Sequence, residues 1–277
     1  MSASLVGSEM CIRDSCKTCR DKKGRHGRKA GNRTVKENKY DDEPFFKKYS
    51  EMDRSKQGLK GAGEWSELQK VLPEFSGKRV LDLGCGYGWH CLYAAQNGAQ
   101  YVLGTDISEK MLAAAKQKNN HEAIVYRCSA MEDLDFPAGS FDVVISSLAF
   151  HYVRDFEPLV RKISSWLAPE GAFVFSVEHP VFTSRGDQDW CYDEEGRILH
   201  FPVDRYYYEG ERDAVFLGEH VTKYHRTLTT YLNTLLVNGF AFKNIIEPQP
   251  PEEMMDIPGM KDEMRRPMML IIAAQKK

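Results

Sequence analysis

The sequence predicts an α/β fold built on a seven-stranded, mostly parallel sheet with helices on both faces. Strand-type and helix-type patterns alternate four times in succession between residues 79 and 177, which is typical of βαβ units. The predicted strands are short, mainly apolar runs, as expected for strands buried on both faces. The 277 residues are 42% hydrophobic and 28% charged, a composition that excludes collagen-like, mucin-like and wholly disordered chains.

The elements follow one another in a regular order. Residues 36–73 contain two amphipathic helical pieces separated by a glycine-rich stretch, and Pro73 stops the second. Apolar runs predict strands at 79–83, 101–105, 123–128, 141–146, 171–177, 242–246 and 268–274. Helical periodicity predicts helices at 89–96, 111–116, 157–167 and 227–238. Parallel sheets bind ligands beyond the carboxyl ends of their strands, so we expect functional residues just after these strands.

The chain divides into three predicted regions. Residues 1–34 form a basic extension that is disordered or not native, 35–77 a helical N-terminal cap, and 78–277 the α/β domain. Within the domain, residues 180–225 form an insertion after the fifth strand that we interpret as a substrate lid. We see no internal repeat.

The extension carries nine Lys or Arg residues against three Asp or Glu residues. Cys16 and Cys19, with Cys11 and His26 nearby, leave a zinc knuckle or a basic RNA-binding arm as alternatives. However, residues 2–15 look like translated adapter or vector DNA. We therefore expect the natural start close to Val35.

The net charge and the apolar stretches of the chain indicate which partners and which cellular compartment to expect. Subtracting the extension from the totals leaves 29 basic and 37 acidic residues, a net charge of -8, which disfavours nucleic acid as the main partner. The apolar stretch 268–274 is seven residues long, whereas a membrane-spanning helix needs roughly 20. No apolar block typical of a secretory signal stands near the N-terminus, and the seven cysteines show no disulfide framework. These observations predict a cytoplasmic protein without a membrane partner.

The segment that indicates chemistry is a glycine-dense turn directly after the first strand. Gly84, Gly86 and Gly88 allow backbone N–H groups to approach a ligand closely. Eighteen residues beyond Gly88, at the end of the second strand, Asp106 can accept hydrogen bonds from the ribose hydroxyls of an adenosine. The dinucleotide fingerprint G-x-G-x-x-G needs a small residue at position 89, where this chain has Trp89.

Asp82 precedes these glycines, so the turn reads Asp-x-Gly-x-Gly-x-Gly. With this pattern the chain resembles the class I S-adenosylmethionine-dependent methyltransferases from about residue 78 to 274, and small bacterial type 11 members in particular. The resemblance implies a Rossmann-like, doubly wound fold, S-adenosylmethionine as cofactor and no metal. It implies cofactor-binding roles for Asp82, Gly84, Cys85, Gly86, Asp106, Ile107, Ala130, Met131, Glu132 and Ser146. Ser129 stands where the family often has an Asp for the adenine, so residues 130–132 are expected to replace it.

Absent motifs narrow the methyl acceptor. The family members that methylate DNA bases or protein Gln commonly carry Asp, Asn or Ser, then Pro-Pro-aromatic, after the fourth strand, where this chain reads SLAF at 147–150. No Pro-Cys dipeptide supplies the nucleophile of cytosine C5 chemistry. The resemblance therefore implies transfer to a small-molecule oxygen, nitrogen or carbon nucleophile, which could be aromatic.

Polar residues at the ends of the fourth and fifth strands are the candidates for contacts with that acceptor. His151 and His179 are candidate general bases, although His151 could instead hydrogen-bond the following helix and His179 could be a turn residue before proline. The candidate substrate-binding residues are Ser147, Tyr152, Glu178 and Trp190. His90 is expected to pack near the cofactor and not to react.

The insertion is rich in aromatic residues, with eight in residues 182–216, about 23% against 11% for the chain. They could wall a pocket for a flat acceptor. They could equally pack a β-hairpin onto the sheet. Two other functions stay open: an NAD-dependent oxidoreductase, for which no Tyr-x-x-x-Lys pair is present, and a catalytically silent S-adenosylmethionine-binding protein.

Overall fold

The fold is centred on one seven-stranded sheet. A computed structural model describes residues 36–277, so the expectations for residues 1–34 lie outside the described residues. The strands are β1 (Arg79–Leu83), β2 (Tyr101–Asp106), β3 (Ile124–Cys128), β4 (Phe141–Ser147), β5 (Leu167–Glu178), β6 (Cys191–Tyr192), β7 (Ile198–His200), β8 (Gly210–Phe216), β9 (Glu219–His225), β10 (Phe240–Ile246) and β11 (Met269–Lys276). The large sheet has the order β10-β11-β5-β4-β1-β2-β3. Only β11 runs antiparallel to its neighbours, so the predicted seven-stranded, mostly parallel sheet is confirmed.

Helices cover both faces of this sheet. They are α1 (Glu43–Ser50), α2 (Asp53–Lys56), α3 (Trp65–Val71), α4 (Trp89–Gln96), α5 (Glu109–Lys118), α6 (Phe156–Trp166), α7 (Pro180–Thr183), α8 (Leu228–Val237) and α9 (Met260–Glu263). Apolar residues of α6 and α8 pack with the sheet into one core, whose side chains include Trp166 and Tyr231. Apolar residues of α4 and α5 form the core of the opposite face, and Leu68 of α3 extends it over β5 and β11.

The insertion forms two small hairpins outside the main sheet, β6–β7 and β8–β9. The second hairpin packs on the helical region that precedes the sheet. Phe45 of α1 is fully buried in a cluster with Ala214, Phe216 and Val221. The helical region and the insertion therefore form one roof above the carboxyl ends of the strands.

Several elements differ from the sequence-based expectation. The helical region contains three short helices, because Met52 and the stretch 57–64 interrupt it. Strand β5 begins at Leu167, four residues earlier than predicted, and the 3-10 turn Phe150–Tyr152 was not anticipated. Within residues 36–277 no helix has the length and apolar character required to cross a membrane.

Candidate active site

The glycine turn adopts a backbone that side chains would obstruct. Gly84 has φ +73°, and a Cβ atom there would lie 2.5 Å from the Cβ of Ala149. Gly88 has φ +75°, and its Cβ would collide with the Tyr126 hydroxyl. The amides of Gly84 and Cys85 both donate to the Thr105 carbonyl, at 2.8 and 2.9 Å. The turn is therefore held against the end of β2, with its peptide surface free to meet a ligand.

Asp106 links this turn to the next loop. Its Oδ2 accepts a hydrogen bond from the Gly86 amide at 2.8 Å, and its Oδ1 accepts one from the Ser108 amide at 2.9 Å. Burial raises the pKa of the Asp106 carboxyl, although these amide contacts oppose the rise. Each carboxylate oxygen keeps a second lone pair for a ligand hydroxyl.

One cavity opens at the carboxyl ends of β1, β2, β4 and β5, where the sequence placed the site. The predicted residues that line it are Gly84, Cys85, Gly86, Asp106, Ile107, Ala130, Met131, Glu132, Ser147, His151, Tyr152 and Glu178. Ser129 and His90 also line it. Thus the glycine turn, the acid of the second strand and the residues after β3, β4 and β5 surround one volume.

Asp82 and Ser146 do not line this cavity. Asp82 is 1% exposed, and its Oδ2 accepts the Cys91 thiol hydrogen at 3.2 Å. Burial raises the pKa of Asp82 to about 7. Ser146 is fully buried and donates to the Leu83 carbonyl at 2.7 Å. Neighbouring strand residues point to opposite faces of the sheet, and these two side chains point away from the cavity. Asp82 contacts α4, and Ser146 holds the residue that precedes the turn.

An ion pair from the helical region closes the roof beside the turn. Arg54 Nη2 lies 2.5 Å from Glu64 Oε1, and Ser147 Oγ donates to the same oxygen at 3.4 Å. The Arg54 guanidinium lowers the pKa of the Glu64 carboxyl against the opposing effect of burial. Glu64 Oε2 is buried and has no hydrogen-bond partner among the described residues. Arg54 lines the cavity, whereas Glu64 is buried behind it and is not a lining residue.

His151 lies at the cavity wall, but its ionisation does not suit a base at neutral pH. Burial lowers its pKa to about 4, and the nearby carboxylate of Glu178 only partly offsets this. The Glu178 amide donates to His151 Nδ1 at a long 3.5 Å. The ring is therefore neutral at neutral pH, and one of its nitrogens can donate a hydrogen bond while the other can accept one.

Tyrosines join the roof to the β4 end of the cavity. The Tyr40 and Tyr152 hydroxyls lie 3.2 Å apart, and the ring of Tyr49 packs edge-on against Tyr40. All three tyrosines line the cavity. Burial raises the pKa values of Tyr40 and Tyr152, so both hydroxyls stay protonated and can donate or accept hydrogen bonds.

His179 and Trp190 do not line the cavity either. His179 Nδ1 accepts from the Val181 amide at 3.0 Å as the N-cap of α7, and its Nε2 lies 2.9 Å from Glu247 Oε1. Trp190 packs on the guanidinium of Arg266, 5.1 Å from its ring. The structure thus favours the turn role of His179, and it gives Trp190 a packing role.

The eight aromatic residues of the insertion differ in their surroundings. Phe182, Trp190 and Phe201 surround Arg266, with guanidinium to ring distances of 4.6, 5.1 and 4.8 Å. Phe216 is the member of the eight aromatics that lines the cavity. Tyr192, Tyr207 and Tyr208 are exposed, so only part of the aromatic excess is internal packing.

Some lining residues were not predicted as site residues. They come from the helical region and from the segment before β11: Lys36, Glu37, Tyr40, Tyr49, Met52, Arg54, Met268 and Met269. No motif marks them, because their position depends on how the roof folds back over the sheet. Tyr49, Arg54 and Glu64 lie in the stretch 35–77 that the sequence predicted as a helical N-terminal cap.

No group of His, Cys, Asp and Glu side chains within residues 36–277 has a metal-binding arrangement.

Comparison with known proteins identifies the family. The methyltransferase domain family matches residues 81–175. A solved Listeria monocytogenes protein assigned to the S-adenosylmethionine-dependent methyltransferases is 55% identical, with a TM-score of 0.76 over 79% of this chain and 99% of that chain. A Mesorhizobium loti S-adenosylmethionine-dependent methyltransferase is 44% identical, with a TM-score of 0.73 over 79% of this chain and 100% of that chain.

A curated relative is similar over part of the chain. The ubiquinone biosynthesis O-methyltransferase of Bradyrhizobium diazoefficiens is 39% identical over 103 residues, which are 36% of this chain and 40% of that enzyme. The two solved structures, in contrast, are covered over their whole length. The chain belongs to the class I S-adenosylmethionine-dependent methyltransferases, and S-adenosylmethionine is its methyl donor.

Proposed function

We propose that this methyltransferase transfers the methyl group to a small-molecule acceptor bound in the cavity between the sheet and the roof. The observation that carries the proposal is the single cavity that joins the glycine turn and Asp106 to Ser147, His151, Tyr152 and Glu178. A roof made by the helical region and the insertion covers this cavity. The relative similar over part of the chain is an O-methyltransferase of ubiquinone biosynthesis, which supports a small-molecule acceptor.

The first half of the cavity fits the cofactor. Gly84, Cys85 and Gly86 present peptide groups to the methionine portion, and Asp106 accepts from the ribose hydroxyls. Residues 130–132, with Ile107, would enclose the adenine. Asp82 and Ser146 contribute by holding the turn and not by direct contact.

The methionine end carries an ammonium and a carboxylate, so it needs an acid and a base close together. Arg54 lines the cavity next to the turn and would pair with the ligand carboxylate, while the buried Glu64 fixes the Arg54 guanidinium from behind. The residues present therefore fit S-adenosylmethionine.

The second half of the cavity would position the acceptor. Bound S-adenosylmethionine supplies a methyl group already activated on a sulfonium, so the protein mainly has to hold a nucleophile about 3 Å from it and exclude water. His151 and Tyr152 can hydrogen-bond that nucleophile, while Tyr40 and Phe216 shield it from solvent. The low pKa of His151 supports a positioning role over proton removal.

Two further expectations belong to this proposal. The net charge of -8 over residues 35–277 supports a partner other than nucleic acid, and a cytoplasmic location is expected. The solved relatives favour methyl transfer over both an NAD-dependent oxidoreductase and a catalytically silent cofactor-binding protein.

Isothermal titration with S-adenosylhomocysteine tests the cofactor half. Asp106→Ala should weaken binding by roughly 10- to 100-fold, because hydrogen bonds to a charged group contribute about 1.5–3 kcal/mol. Asp135→Ala removes an exposed acid of the same size and is the matched control. Absence of heat with the wild type, or equal affinity for Asp106→Ala, would refute the site.

Formation of S-adenosylhomocysteine with a panel of small acceptors tests the second half. Turnover of small hydroxyl, amine or carbon nucleophiles is the expected result. A protein that binds S-adenosylhomocysteine but methylates only macromolecules would contradict the proposal.

A further inference from the structure

Glu178 sits in an unusual setting at the end of β5. Its side chain is 8% exposed and forms an ion pair with Lys223 of β9, with Oε1 and Nζ 2.6 Å apart. The Lys223 side chain is only 2% exposed. Removing two charges from water is costly, and such a pair is a weak source of stability. A contribution to stability therefore does not explain why Glu178 and Lys223 are buried as an ion pair.

Gln188 of the insertion closes the arrangement into a ring. Its Nε2 donates to Glu178 Oε2 at 2.8 Å, and its Oε1 accepts from Lys223 Nζ at 2.9 Å. Every polar group of the ring therefore has a partner, and both carboxylate oxygens are held in place. We call Glu178, Gln188 and Lys223 the carboxylate ring.

The backbone at Gln188 is strained to make this ring. Gln188 has φ +52°, a left-handed conformation that costs a residue with a side chain about 1–2 kcal/mol. Strain of this kind gathers at functional sites, where the surrounding structure holds it. This strain is an observation independent of the ion pair. It indicates that the position of the Gln188 side-chain amide matters.

Glu178 is the member of the carboxylate ring that reaches the cavity. Glu178 lines the cavity, whereas Lys223 and Gln188 do not. Lys223 Nζ lies 5.4 Å from the centre of the Phe216 ring. A carboxylate has about four lone-pair positions, and the ring occupies two of them. The cavity thus receives a fixed acceptor of hydrogen bonds.

We propose that Glu178 recognises the methyl acceptor through a hydroxyl or amine hydrogen, with Lys223 and Gln188 as its positioning residues. The inference rests on the proposed function and narrows its substrate class to hydroxyl- or amine-bearing molecules. An acceptor with a carboxylate at this place is disfavoured, since two carboxylates would meet in a closed volume. His151 and Tyr152 flank the same place and can share the contact.

Ionisation of the ring agrees with this assignment. The Lys223 ammonium holds the pKa of the Glu178 carboxyl below its usual value against the effect of burial, and His151 and Gln188 act in the same direction. The charged or titratable groups near Glu178 are His151, Tyr152, Lys223, Tyr231 and Arg266. Glu178 is therefore a carboxylate, and not a carboxylic acid, at neutral pH.

The test uses the full chain loaded with S-adenosylhomocysteine and a matched series of probes. Each series has one aromatic or aliphatic frame that carries an amine, a hydroxyl or a carboxylate in turn, and binding is measured by calorimetry. The expected result is binding of amine and hydroxyl members, weakened roughly 10- to 100-fold in Glu178→Gln, with S-adenosylhomocysteine affinity unchanged. Glu194→Gln makes the same change on an exposed turn and should have no effect.

Lys223→Met tests the positioning role through pH. Without the ammonium, burial raises the pKa of Glu178, so probe binding should be lost at neutral pH and return as the pH rises. A merely structural lysine would not produce this pH dependence. The double variant Glu178→Gln with Lys223→Met leaves no unpaired charge and should show weak binding at every pH.

The outcomes separate this inference from the proposed function. Failure of the wild type to bind S-adenosylhomocysteine contradicts the proposed function. Normal S-adenosylhomocysteine binding with equal responses to all three members of a series, including no response to any, overturns the inference alone. So does a Glu178→Gln protein that keeps the wild-type preference.

Discussion

Replacing Arg54 with Met leaves the Glu64 carboxylate buried without its counter-ion. The Glu64 side chain is 2% exposed, and its Oε2 already has no partner within the described residues. Breaking a buried ion pair by removing one member costs about 3–5 kcal/mol. A domain of this size loses about 2–4 °C in Tm per kcal/mol, so we expect Tm to fall by about 6–20 °C.

The stability of the wild type and that of Arg54→Met should change in opposite directions with pH. The pKa of Glu64 is lowered in the folded protein, so its contribution to stability is present above the unfolded pKa and is lost as the pH falls through the folded pKa. In Arg54→Met the main opposing charge is lost, so we expect burial to raise this pKa above the unfolded value, with the Ser147 hydrogen bond offsetting only part of the rise. The variant should therefore lose stability as the pH rises, where the wild type loses it as the pH falls.

Urea unfolding measured between pH 4 and 8 is the assay, with Arg161→Met as the control. Arg161 pairs with Glu157 on α6, and both side chains are more than half exposed, so this loss should cost at most about 0.5 kcal/mol. Arg54→Met with Glu64→Gln should recover much of the stability but not the affinity for S-adenosylhomocysteine. An Arg54→Met protein as stable as Arg161→Met across this pH range would refute the reasoning.

Two other substitutions test the turn and the roof. Gly84→Ala should lower stability by about 1–3 kcal/mol in urea unfolding and abolish S-adenosylhomocysteine binding, because its Cβ meets Ala149 at a positive φ; normal binding would contradict this. Asp41→Ala removes the hydrogen bonds that Asp41 Oδ1 accepts from Ser108 Oγ at 2.6 Å and from the Lys110 amide at 3.1 Å. It should cost about 1–2 kcal/mol and speed the release of S-adenosylhomocysteine in stopped-flow measurements, whereas unchanged release would show that the roof does not gate the cavity.

The sheet and the first half of the site could be predicted because they depend on local patterns. Apolar runs fix the strands, and the glycine turn and Asp106 stand at fixed distances from strand ends. Alternation along a strand explains where the prediction was less accurate. Ser147 reaches the cavity while Ser146 turns back to Leu83, and the sequence alone does not say which of two adjacent serines faces the ligand.

The roof could not be predicted from the sequence to the same extent. Arg54 and Tyr40 reach the cavity through contacts with residues far along the chain, as in the 3.2 Å contact between the Tyr40 and Tyr152 hydroxyls. For His179, the sequence favoured a role in the site that the structure does not support. Its place at the end of β5 favoured a catalytic role, but the proline that follows begins a helix, and the imidazole caps it.

Phe45, buried against Ala214, Phe216 and Val221, makes two distant parts of the chain move together. Neither part can swing away from the sheet without exposing apolar side chains of the other. If ligand exchange requires the roof to open, loading of the methyl donor and departure of the methylated product share one opening event. The frequency of that event sets an upper limit on turnover, however fast the methyl group itself is passed on.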